Sequence, residues 1–218
     1  MDNKIKKAFE AVQFIKDDMT VMIGGFMAVG TPEILIDAIL KKGVKNLTII
    51  ANDTGLPDKG IGKLIVSKRV KRVIASHIGL NPETGRQMNN KELIVDLVPQ
   101  GTLAEQIRSG GAGIGGFLTE TGVGTIVEEG KQKLLIKGKE YLLELPLRAD
   151  VALIGGSIAD THGNIFYKGS TRNFNPLMAT AADLVIAGVE RIVEVGELDP
   201  NYVMTPGIFV DYIVGGEN

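Results

Sequence analysis

Six short runs rich in Val and Ile punctuate the chain: Thr20–Ile23, Leu47–Ala51, Arg72–Ser76, Ile94–Val98, Val151–Ile154 and Leu184–Ala187. Most close on Gly, Asn or Ser. Their apolar residues are continuous and do not alternate, as in strands of a parallel sheet covered on both faces. Helical periodicity fills several of the gaps. Pro32–Lys42 is apolar at Ile34, Leu35, Ala38 and Ile39, with Gly43 placed to close the helix in the αL conformation. Leu103–Arg108 and Pro176–Ala182 are shorter helical candidates. One stretch breaks the rhythm. Between Gly124 and Leu145, apolar segments separated by Glu128–Lys133 and Lys137–Glu140 predict antiparallel ribbons at a sheet edge, turning at Gly130 and Gly138. The expected fold is therefore α/β: an open, mainly parallel sheet with flanking helices and a small antiparallel excursion.

No repeat, low-complexity tract or linker divides the 218 residues, so a single domain over 1–218 is expected. The chain has no cysteine, which excludes a thiol nucleophile, a thiolate metal site and a disulfide framework. Two histidines, His77 and His162, are too few for a multi-histidine metal site, and no metal is expected. A net charge of −2 argues against general affinity for nucleic acid or anionic membranes. Met1–Lys16 reads as a charged amphipathic stretch without the apolar core of a secretory signal, and no apolar run reaches the ~18 residues of a membrane span. A cytoplasmic location is expected.

Glycine is the unusual residue: 28 of 218, nearly twice the typical ~7%. The first cluster, Gly24-Gly25-Phe26-Met27-Ala28-Val29-Gly30, follows the strand Thr20–Ile23 and leads into a helix with Thr31 as expected N-cap, Pro32 in its first position and Glu33 in its first turn. Such a turn can direct backbone N–H groups at an anion or a close-packed ligand, or can be a tight βα turn with no ligand. The second, Gly110–Gly116, contains the letters G-x-G-x-x-G, but it follows a helical stretch and precedes Phe117-Leu118-Thr119. A dinucleotide fingerprint needs the opposite order, strand then helix, so a Rossmann cofactor is rejected. Close approach of another backbone, a ligand, or a mobile loop could account for the run.

Gln100, in Pro99-Gln100-Gly101-Thr102, stands at the carboxyl end of a predicted strand, where open α/β sheets place ligand groups. Its neutral amide could support an oxyanion without quenching a nearby carboxylate, or could cap the following helix. Asn52-Asp53-Thr54-Gly55 and Arg172-Asn173-Phe174-Asn175-Pro176 have the composition of turns. Lys68–Arg72 reads as a solvated basic face, with a ligand phosphate as the alternative. Gly155-Gly156-Ser157-Ile158-Ala159 lacks the second glycine of a nucleophile elbow, which speaks against a serine hydrolase.

These residues resemble family I coenzyme A transferases, in order and over essentially the whole chain. The matching segments are Asp17–Phe26 with Gly30-Thr31-Pro32, Ile50–Thr54, Pro99–Leu103, Gly110–Gly116 and Arg172–Asn175. Asp18 departs from the pattern, which has Gly or Asn there, and implies a turn with φ > 0. The likeness is strongest to the α subunit of acetate or butyrate:acetoacetate CoA-transferases. It implies ping-pong transfer of CoA between short-chain carboxylates through a glutamyl-CoA thioester. The glutamate would lie in a Ser-Glu-Asn-Gly motif on a β subunit, and this sequence has no such motif. The resemblance further implies an α2β2 hetero-oligomer, acyl-CoA as substrate with no tightly bound cofactor, CoA contacts along Gly24–Gly30, and Gln100 as oxyanion support. Gly110–Gly116 would lie near the pantetheine or the shared interface. The same scaffold serves sugar-phosphate isomerases and sensor domains, so a non-catalytic module sensing a CoA ester or a sugar phosphate is the alternative. A fused helix-turn-helix would favour it, and the first predicted strand already begins at Thr20.

Overall fold

The computed structural model describes residues 3–215, so Met1 and Asp2 of the amphipathic N-terminal stretch lie outside it. The strands in chain order are β1 (Thr20–Ile23), β2 (Leu47–Ile50), β3 (Val70–Ala75), β4 (Ile94–Leu97), β5 (Phe117–Thr119), β6 (Lys133–Ile136), β7 (Lys139–Glu144), β8 (Ala149–Asp160), β9 (Ile165–Phe166), β10 (Ala182–Val193) and β11 (Tyr212–Gly215). The helices are α1 (Ala8–Ala11), α2 (Glu33–Lys42), α3 (Gly62–Val66), α4 (Pro82–Asn89), α5 (Gln100–Gly111) and α6 (Asn175–Met178). Seven strands form a parallel sheet in the order β11-β10-β8-β1-β2-β3-β4, and β9 adds antiparallel to β8.

The continuous apolar runs have the cause expected of them. In β1, Val21 and Ile23 join one buried cluster with Leu35, Ile36 and Ile39 of α2 and with Leu64 and Ile65 of α3. Met22, between them, faces the other side and packs in a cluster with Leu103 and Ile107 of α5 and Met178 of α6. Both faces of the sheet are therefore covered, and alternation disappears. Gly43 ends α2 at φ 83°, its amide bonded to the Ile39 carbonyl at 3.0 Å, and Asp18 sits at φ 67°.

Four expectations need correction. Thr31 does not cap α2: its hydroxyl donates to the Gly24 carbonyl at 3.1 Å, and Pro32 occupies the N-cap position. The Pro176–Ala182 helix ends at Met178, and Ala182 already begins β10. The antiparallel excursion is not at the edge of the main sheet; β5, β7 and β6 form a separate three-stranded sheet, which buries Leu142. Gly130 and Gly138 do carry the positive φ expected of its turns. β8 and β10 are each 12 residues long and run through glycines that read as strand ends. Those glycines make room: a Cβ on Gly155 would meet the Gly30 carbonyl, and one on Gly188 would lie 2.8 Å from Pro32 Cβ. Uninterrupted β8 also removes any nucleophile elbow at Ser157, whose hydroxyl accepts from the Lys168 amide at 3.0 Å. The basic run is ion-paired at the surface, Lys68 to Glu92, Lys71 to Asp18 and Arg72 to Asp96, so the solvated-face reading holds. No helix among the described residues is long and apolar enough to cross a membrane.

Candidate active site

Strand order reverses direction about β1. Strands β2, β3 and β4 follow it on one side, while β8, β10 and β11 lie on the other. The crevice at the carboxyl ends beside such a switch point is where open α/β sheets bind ligands. The Gly24–Gly30 turn leaves β1 at this place.

This turn is held by its own hydrogen bonds. The Gly24 amide donates to the Leu153 carbonyl at 2.9 Å, and the Gly25 amide to Asn173 Oδ1 at 3.1 Å. Phe26 and Val29 exchange backbone bonds of 3.0 and 2.9 Å, closing a hairpin tip over Met27 and Ala28. It therefore does not offer the row of free N–H donors that an anion cradle would need. Asn173 and Asn175, which read as turn formers, are the clamps. Asn173 Nδ2 donates to the Val29 carbonyl at 2.9 Å. Fully buried Asn175 accepts from the Gly155 amide at 2.9 Å and donates to the carbonyls of Gly30 and Thr171 at 3.0 and 2.7 Å.

The tip is strained. Met27 and Ala28 have φ of 51° and 66°, the pattern of a type I′ turn, which favours Asn and Gly. Each non-glycine residue in this region costs roughly 1–2 kcal/mol. The Met27 amide donates to the Asp53 carboxylate at 2.9 Å, a charge-assisted bond of the ~1.5–3 kcal/mol class, enough to offset much of that strain. The exposed faces of Phe26, Met27 and Val29 remain at the tip.

Beside the tip lies a cavity of about 320 Å³ with Phe26, Met27 and Leu80 as apolar wall and His77 at its side. Its polar wall comes from the ends of three successive strands. Backbone pairing of β2 and β3 continues past both strands, with the Ser76 amide on the Asn52 carbonyl at 2.9 Å and a bridge between Asp53 and His77. Asn52 Oδ1 accepts from Ser76 Oγ at 3.0 Å and from Gln100 Nε2 at 2.7 Å. Asn52 Nδ2 donates to Asp53 Oδ2 at 3.0 Å, and Asp53 Oδ1 accepts from the Gly55 amide at 2.8 Å.

Gln100 is the first residue of α5, and its amide nitrogen bonds Asn52, not a carbonyl or amide of its own helix. The capping alternative does not describe it. A primary amide carries two N–H groups, so one is left without a partner in the network, on a residue that lines the cavity. The fold thus brings Gln100 together with Phe26 and Met27 of the glycine turn. It separates Gly110–Gly116 by role: Gly110 and Gly111 pack on Leu147 and Thr180, whereas Gly113 and Gly115 have open space around them. His162 lies in the turn after β8, its amide on Asp160. In sequence Asn52 and Asp53 have the composition of a turn and Ser76 only closes an apolar run, so none of the three is a predicted site residue. Their signal was placement, since polar residues directly after parallel strands meet in one crevice.

An open parallel sheet covered on both faces, with a clamped glycine turn and an amide network at its switch point, defines an α/β protein of the doubly wound kind. Comparison with known proteins narrows the class. The chain belongs to the coenzyme A transferase family, whose model matches residues 5–216. It is 58% identical to acetate CoA-transferase subunit alpha of Escherichia coli K12, over 98% of this chain and 97% of that one. It is 56% identical to the acetoacetyl-CoA:acetate/butyrate CoA transferase alpha subunit of Clostridium acetobutylicum, over 98% of each. Among solved structures, the E. coli O157:H7 acyl-CoA transferase YdiF, in a thioester complex with CoA, aligns with a TM-score of 0.89 and 25% identity. The alignment covers 98% of this chain but only 50% of that longer one. Glutaconate coenzyme A-transferase of Acidaminococcus fermentans shares the fold at a TM-score of 0.86 and 18% identity, over 98% of this chain and 75% of that one.

Proposed function

We propose that this chain is the α subunit of a short-chain CoA-transferase that moves CoA between acetoacetate and acetate or butyrate. A β subunit supplies the nucleophilic glutamate, and the two assemble as a cytoplasmic α2β2 heterotetramer in which residues 1–218 act as one domain. The names of the two relatives above support the substrate class and the subunit role. The observation that carries the mechanism is Gln100: a neutral amide anchored on Asn52 through its nitrogen, on a residue that lines an open cavity.

Attack of a carboxylate on a thioester builds negative charge on the thioester oxygen. A preorganised donor at that oxygen lowers the barrier, and a neutral one leaves the attacking carboxylate ionised. Gln100 takes that role. The partner's glutamate attacks the acyl-CoA carbonyl and expels CoA thiolate; the thiolate then attacks the glutamyl carbonyl of the resulting anhydride, which releases the first carboxylate and leaves a glutamyl-CoA thioester. The second carboxylate runs the same two steps in reverse, so CoA passes to it and the glutamate is regenerated. Gly24, Gly25, Phe26, Met27, Ala28, Val29 and Gly30 form the CoA-contacting turn, in which the apolar tip packs on the narrow pantetheine arm. CoA and acyl-CoA enter as substrates, with no tightly bound cofactor. Binding of the remote nucleotide can assist chemistry at the thioester.

The test is reconstitution. The purified chain alone should show no turnover, and mixing it with a partner carrying Ser-Glu-Asn-Gly should restore it. Incubation with acyl-CoA should then leave a thioester on the partner's glutamate. Full turnover by this chain alone, or a covalent CoA adduct on one of its own side chains, would overturn the split site. Tight CoA-ester binding without turnover, whatever partner is supplied, would mark a sensing module instead.

A further inference from the structure

One buried carboxylate touches both halves of the site. Asp53 is 5% exposed, and its oxygens take three N–H donors: the Met27 and Gly55 amides and Asn52 Nδ2. The first bond holds the tip of the glycine turn at its positive φ. The third fixes Asn52, because a carboxylate only accepts and so must face the NH2 end of that amide. Asn52 Oδ1 is thereby turned to Ser76 Oγ and Gln100 Nε2. The reversed Asn52 would set oxygen against carboxylate and NH2 against NH2, so the network admits one sense only. Gln100 inherits its orientation. Its NH2 end is drawn to Asn52, which leaves one N–H free on a residue that lines the cavity.

We propose that Asp53 and Asn52 are positioning residues that couple the CoA-contacting tip to the amide of Gln100. Ser76 Oγ shares its single proton between the Asn52 carbonyl at 2.8 Å and Asn52 Oδ1 at 3.0 Å, and so helps to hold Asn52 in place. Displacement of the Phe26–Val29 tip moves Asp53, and through Asn52 it re-aims the oxyanion donor. Occupation of the turn by CoA and alignment of the donor are thus one event. The inference rests on the reading of Gln100 given above and adds two residues that touch neither reacting atom.

Steady-state kinetics on the reconstituted complex test it. Asn52→Ala should lower kcat roughly tenfold, less than the ~10²-fold expected of Gln100→Ala, which removes the donor itself. In the Gln100→Ala background, Asn52→Ala should have almost no further effect on kcat, since a residue acting through another cannot be counted twice. Asp53→Asn should give the same masked loss of kcat and, by freeing the tip, a raised KM for acyl-CoA that Gln100→Ala does not mask. Amide exchange at Met27 should accelerate in Asp53→Asn and remain slow in Asn52→Ala. Ser76→Ala, the mildest change, supplies the same kcat comparison should Asp53→Asn fold poorly. Losses that multiply in full with Gln100→Ala, or single variants with unchanged kcat and KM, would overturn the coupling. A Gln100→Ala variant with normal kcat would overturn the oxyanion reading and the kcat half of this proposal together. The KM and exchange effects of Asp53→Asn would still decide the tip contact.

Discussion

Gln100 tests the chemistry at the scale of one side chain. Its replacement by Ala in the reconstituted enzyme should lower kcat by roughly 10²-fold with little change in melting temperature, the size seen on removing one preorganised donor. Asn175 should behave in the opposite way. Its loss leaves the Gly155 amide and the Gly30 carbonyl without a partner inside the protein, so Asn175→Ala should cost about 2–4 kcal/mol in denaturant unfolding. Tyr167 makes a pH prediction. Burial pushes its hydroxyl up to about 12, against the smaller opposing pull of its 2.7 Å bond to Thr205. The unfolded chain ionises near the ordinary value of ~10 and the folded one does not, so the unfolded state releases a proton first. Stability therefore falls as pH rises from ~10 to ~12, by roughly 2–3 kcal/mol in total. Unfolding curves at pH 9 and 11.5 should show this fall in the wild type and a smaller one in Tyr167→Phe.

At the scale of elements, the connections between strands and helices carry the site, and their glycines divide into tasks. Gly155 admits the carbonyl of Gly30 beside β8. Gly155→Ala should therefore destabilise by about 1–3 kcal/mol, the range for overfilling a packed contact, and the loss should appear as a lower melting temperature. The Met27-Ala28 tip offers the converse. Asn-Gly in its place suits a type I′ turn, and the double replacement should stabilise the chain by about 1 kcal/mol. Acyl-CoA affinity should drop in the same variant, because the Met27 side chain at the cavity wall is lost. Elements with continuous apolar character were legible in sequence: β1 matches its expected bounds and α2 begins one residue later than expected. The lengths of β8 and β10 were not. A glycine that ends a strand and a glycine that lets a neighbouring backbone approach look identical until the neighbour is in place.

At the scale of the whole molecule, the proposed split site predicts complementation: neither subunit should turn over alone, and equimolar mixing should restore activity. Val21, Met22 and Ile23 are apolar in succession, as a strand covered on both faces requires, and this was readable from the chain alone. So was the order of motifs that marks the family. Tertiary structure decided how the polar residues combine. Asn52, Ser76 and Gln100 are up to 48 positions apart along the chain and meet because three parallel strands end at one level. Asn173 and Asn175 reach the first glycine turn across 144 positions or more. Hydrophobic pattern is periodic along a sequence and so is visible in it. Hydrogen-bond partnership between turns depends on distances that exist only once the sheet has set its strand order.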